Sequence, residues 1–243
     1  MFRTRRGSLW IFRFAGIDVY VNWLWFVMAV YQIQRRTGYS SLTWSIAEYL
    51  SLFALVLMHE FGHALACRSV GGQANEIVLW LLGGVAYVAP PQRPGAVLWS
   101  LAAGPLVNVV MAPVLVGLCV LGGSLGWDES APNLRELSRH MMFINIGLLC
   151  FNMLPIYPLD GGQILRALLW YPLGRARSMI VATAIGFVGL AGLIGLAVWS
   201  RAEWAALICV FIFFNCGRGL LHGLELARIA RAPRRQGLAC PAC

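Results

Sequence analysis

Residues 55–66 read LVLMHEFGHALA, a run of Leu, Val, Ala and Phe suited to lipid that nevertheless carries His59, Glu60 and His63 within five positions. On a helix, His59 and His63 are four residues apart and leave from the same face. That spacing lets the two imidazoles share one zinc ion, with Glu60 available as a general base. In a soluble helix so short a pattern is weak evidence. In a membrane helix each ionisable group is costly and rare, so three together need a purpose. A metal supplies one.

The surroundings of the stretch are those of a membrane protein. Of 243 residues, 59% are hydrophobic and 12% charged, about half the charged fraction of a soluble domain. Several runs approach or exceed the length of a transmembrane helix. The expected fold class is all-α and polytopic, with six transmembrane helices near 17–34, 43–66, 98–123, 141–168 (interrupted), 178–199 and 204–222. No cleavable signal peptide is expected, because the basic start MFRTRRGSLWIFRFAG is not followed by a short apolar region with a small-residue cleavage site. The net charge of +9 would suggest nucleic acid in a soluble protein. Here arginine gathers in cytoplasmic loops instead, and no nucleic-acid partner is expected. An even number of spans puts both termini on one side. With that side cytoplasmic, fourteen arginines fall inside and five outside, as the positive-inside rule requires. The partners implied are the lipid bilayer and, for location, a prokaryotic cell membrane.

Between the second and third spans, NEIVLWLLGGVAYVAPP holds two β-prone runs, Ile77–Leu82 and Val85–Val88, around Gly83-Gly84. This is a hairpin signal. The segment is too short to cross as a helix and too apolar for an ordinary loop. Non-helical backbone at membrane depth must be satisfied by protein or water, so a re-entrant or interfacial β-hairpin is expected. Its residues Ile77, Val78, Leu79, Val85, Ala86, Tyr87 and Val88 are candidates for a clamp that grips extended substrate by strand addition. A structural plug is the plainer alternative.

A catalytic zinc usually takes three protein ligands and a water. The candidate third ligand is Asp160, the single acid in the fourth span, within CFNMLPIYPLDGGQILRA. Pro155 and Pro158 break the helix before it, and Gly161-Gly162 allow a tight turn. Asp160 could equally cap the helix that follows, and both roles are compatible. Its six-residue separation from Arg166, and the nine residues from His59 to Arg68, place the groups at similar depth near the cytoplasm.

His59-Glu60-Phe61-Gly62-His63, Gly104-Pro105-Leu106-Val107-Asn108, Asn152-Met153-Leu154-Pro155 and Leu159-Asp160-Gly161-Gly162 occur in this order on successive spans. Together they resemble the site-2 protease family of intramembrane zinc metalloproteases, over most of the chain. The resemblance implies that His59, His63 and Asp160 bind one zinc (Zn2+) per chain and that Glu60 activates water. It also implies hydrolysis of peptide bonds within or near the membrane segments of membrane-spanning protein substrates. Asn108 and Asn152 fall in the motif positions. Each reads either as a donor to substrate or oxyanion or as interhelical polar glue. Asn145 reads as glue, and His140 and His222 as structural.

A compact member is expected, without PDZ or CBS domains, with one metalloprotease core over 1–225 and a basic cytoplasmic tail over 226–243. Substrate selection then falls to the hairpin, the loops, a regulatory partner or a second copy of the chain. Cys240 and Cys243 have C-x-x-C spacing, half a structural zinc site, although a reduced cytoplasmic tail is the simpler reading. Two rival functions are a zinc transporter, which leaves Glu60 without a task, and an inactive protease-like membrane binder, against which the retained Glu60 speaks.

Overall fold

The computed structural model describes residues 4–5, 7–34, 38–80, 83–202 and 205–231. Cys240 and Cys243 lie outside the described residues. The chain is built as two compact units, Met1–Leu154 and Pro155–Cys243.

The first unit begins with β1 (Thr4–Arg5), β2 (Ser8–Phe14) and β3 (Ile17–Asn22). Ala15 and Gly16, with φ of 48° and 73°, close the β2–β3 hairpin with the left-handed pair that a two-residue turn needs. Asn22 ends the strand. Its Oδ1 accepts the Leu24 N–H at 3.0 Å, which caps helix α1 (Trp23–Gln34). Helix α2 (Leu42–Ser69) follows, then β4 (Gln73–Trp80), β5 (Gly83–Ala89), α3 (Pro94–Ser124), the single turn α4 (Trp127–Ser130) and α5 (Pro132–Asn152).

The strands form one sheet in the order β1-β2-β3-β4-β5. β4 runs parallel to β3, with Val19 opposite Ile77 and Val21 opposite Leu79, and antiparallel to β5, with Ile77 opposite Ala86. Ile17, Val21, Ile77 and Leu79 are buried against Trp25 and against Val56, Ala64 and Cys67 of α2. Arg68, in the last turn of α2, donates to the carbonyls of Ala15 and Gly16 at 2.5 and 3.0 Å. The sheet is thereby tied to the end of the helix that carries the histidines.

Four sequence expectations change here. The chain is not all-α. The expected first span, 17–34, is strand up to Asn22, because alternating Val, Tyr and Ile pair with β2 and β4. Its helical part has 12 residues, about 18 Å. The hairpin between α2 and α3 is not separate either, since β4 is an interior strand of the sheet. The boundaries of the fourth and fifth spans also move. α5 ends at Asn152, the chain is irregular to Leu159, and a 40-residue helix α6 (Asp160–Trp199) follows, bent where Gly174 leaves helical geometry (φ 75°, ψ 170°).

The second unit is α6 packed against α7 (Ala205–Arg231). α7 continues through the expected start of the tail. The irregular segment before Asp160 folds over the head of α6: Gln163 donates its side-chain amide to the Pro158 carbonyl at 2.8 Å. A Cβ on Gly162 would lie 2.4 Å from the Ile156 carbonyl carbon, so this close approach requires glycine. Among the described residues, α2, α3, α6 and α7 are long and apolar enough to cross a membrane.

Candidate metal centre

His59, Glu60 and His63 are 2, 6 and 7% exposed, so all three are enclosed by protein and none is turned to lipid. Each imidazole is held at Nδ1. His59 Nδ1 lies 2.6 Å from Asn108 Oδ1 on α3. His63 Nδ1 lies 2.9 Å from the Ser100 carbonyl oxygen, which can only accept. A neutral imidazole that donates at Nδ1 carries its lone pair at Nε2. The two Nε2 atoms face each other at 3.1 Å. Two lone pairs at that distance do not make a hydrogen bond, whereas a shared cation satisfies both. The Asn152 amide nitrogen, 3.4 Å from His59 Nε2, stands on the same side. The donor set fits zinc, a tetrahedral ion that takes neutral imidazole nitrogen.

Packing leaves no slack around these groups. A Cβ on Gly104 would come within 2.2 Å of His63 Nε2. Glycine at the head of Gly104-Pro105-Leu106-Val107-Asn108 therefore lets α3 pass directly behind the ring. Gly84 of β5 stands as close to Glu60, where a Cβ would meet the carboxylate chain at 2.3 Å. Glu60 Oε2 accepts the Ala86 backbone N–H at 2.8 Å. The edge of β5 that faces away from β4 is thus turned toward the candidate base.

The strand order sets where the clamp candidates lie. Ile77, Val78 and Leu79 are buried in β4, with β3 on one side and β5 on the other. They have no edge to offer. Val85, Ala86, Tyr87 and Val88 lie in β5, the last strand of the sheet. Val85 and Tyr87 are exposed, while Ala86 and Val88 pack on the core. Asp160 is the first residue of α6, in the second unit.

Sequence reasoning missed Ser100, which acts through a backbone carbonyl that no side-chain pattern reveals. It also gave His140 no partner. His140 bridges Glu48 of α2 at 3.3 Å and Glu136 at 3.0 Å, beside the Tyr39 hydroxyl at 3.2 Å. This polar clasp joins α2 to α5 near the start of α2. Burial and the Glu48 carboxylate hold the Tyr39 phenol above its ordinary pKa.

Two converging imidazoles and an adjacent carboxylate, all buried on one membrane-length helix, define a membrane metalloprotease class. Peptidase family M50 matches residues 47–128 and 128–196, and the chain belongs to this family, the site-2 proteases. Relatives include a putative zinc metalloprotease of Synechocystis, 28% identical over 236 residues, covering 88% of this chain and 58% of the relative. A zinc metalloprotease of Methanocaldococcus jannaschii is 30% identical over 179 residues, covering 74% and 50%. A putative zinc metalloprotease of Mycobacterium tuberculosis is 30% identical over 234 residues, covering 86% and 57%. The chain thus spans between half and three-fifths of the length of these relatives. The site-2 protease structure from M. jannaschii has the same fold, with a TM-score of 0.61 at 24% identity over 96% of this chain and all of that one.

Proposed function

We infer that this protein is an intramembrane zinc metalloprotease that hydrolyses peptide bonds within or near the membrane segments of membrane-tethered substrates. The observation that carries the reading is Glu60, buried next to two histidines whose Nε2 atoms converge, with its carboxylate accepting a backbone N–H of the edge strand β5. His59, His63 and Asp160 would hold one zinc per chain. Asp160 supplies the negative ligand that two neutral imidazoles lack, and its place in the family's motif order supports the assignment. Bound zinc supplies a lowered pKa for a water and polarisation of the scissile carbonyl. Glu60 would take a proton from the attacking water and pass it to the leaving amine. Asn152, beside His59 Nε2, is placed to donate to the carbonyl oxygen as it gains charge.

Substrate backbone would add to the outer edge of β5, where strand pairing offsets the cost of unwinding a helix. The clamp is accordingly Val85–Val88 alone. The site would open to the cytoplasm, with both termini on that side. Incubation of the purified chain with single-span substrates, with and without a zinc chelator, tests the reading. Cleavage that the chelator abolishes and added zinc restores is expected. Zinc binding without cleavage of any substrate would favour the inactive binder.

A further inference from the structure

Asn145 of α5 is fully buried and lies outside the family motifs quoted above. We propose that Asn145 is a positioning residue of the metal centre, which fixes the tautomer of His59 through Asn108. The polarity of this chain of contacts is set at its far end. Asn145 Nδ2 is 3.0 Å from the backbone carbonyl oxygen of Asn108, a group that can only accept, so the Asn145 amide must point its NH2 there. Its Oδ1 then faces Asn108 Nδ2, at 2.8 Å, and accepts from it. Asn108 is thereby held with Oδ1 toward His59 Nδ1 at 2.6 Å. Nδ1 carries the proton and Nε2 the lone pair. With either amide reversed, two donors or two acceptors would face each other between side chains that are 0 and 1% exposed, which is costly. Asn108, 1% exposed, therefore has its carbonyl committed to His59 and its amide to Asn145. It serves as the middle link and not as a contact to substrate.

The same geometry contains its own control. His63 is fixed by the Ser100 carbonyl and does not depend on Asn145. Asn145→Asp replaces the NH2 that donates to the Asn108 carbonyl by an acceptor, at nearly unchanged volume. Asn145→Leu removes both functions without burying a charge. Two measurements on the full chain in detergent decide the matter. In the metal-free protein at mildly alkaline pH, imidazole 15N shifts report each tautomer. Both histidines should be Nδ1-protonated in the wild type, and either variant should mix the tautomers of His59 while His63 is unchanged. Zinc affinity, by competition with a chromophoric chelator, should weaken by about 10–100-fold, the usual effect of losing a partner behind a ligand. The proposal rests on the metal centre above, but the tautomer measurement needs no metal and so fails or succeeds independently of it. Unchanged His59 shifts in a folded variant overturn it. So does equal disturbance of both histidines, or loss of fold in both variants, since either would make Asn145 a general packing residue.

Discussion

Glu60 and His59 are neighbours in sequence and differ in task, and substitution separates them. Glu60→Gln keeps the shape and the contact with Ala86 but cannot take a proton. Cleavage should fall to background while about one zinc per chain remains bound by elemental analysis. His59→Ala and Asp160→Ala should lose zinc and activity together. A Glu60→Gln protein that still cleaves, or that arrives without zinc, contradicts the assigned roles. Gly104→Ala tests packing at the same scale. The added methyl lands on His63 Nε2, so α3 or the ring must shift. A stability loss of about 1–3 kcal/mol, with weaker zinc binding, should appear in thermal unfolding and metal titration.

At the scale of elements, the sheet decides where substrate can be gripped. β2, β3 and β4 have neighbours on both sides, and the edge strand β5 lies beside Glu60. Ala86→Pro removes the outward N–H and leaves that residue's place in the β4 ladder, a position an edge strand tolerates. Cleavage of single-span substrates should fall more than tenfold, with zinc content and unfolding temperature unchanged. Val78→Pro, in the interior strand, should instead unfold the sheet. If Ala86→Pro cleaves normally, recognition belongs to the helices and β5 only closes the bundle.

For the whole molecule, the expected even number of passes and the arginine distribution predict that Cys240 and Cys243 face the cytoplasm. Membrane-impermeant thiol reagents should leave them unlabelled in intact cells and label them once the membrane is opened. Labelling from outside would reverse the orientation and move the mouth of the site to the other face.

Composition and the ordered motifs were enough to point to a membrane metalloprotease, because ionisable groups in a helix suited to lipid are costly and rare. The breaks at Pro155 and Pro158 were legible for a similar reason, as proline cannot continue a helix. The sheet was legible only in its β4–β5 hairpin. Ile17–Asn22 and the helix after it are equally apolar, and hydropathy does not distinguish a buried strand from the start of a span. Which strand owns the open edge depended on β3 arriving beside β4 from more than fifty residues away. The links behind the ligands, the Ser100 carbonyl and Asn145, were decided by tertiary structure alone. A hydrogen bond needs two groups within about 3 Å and correctly polarised, and residues 37 apart in sequence meet only when their helices pack.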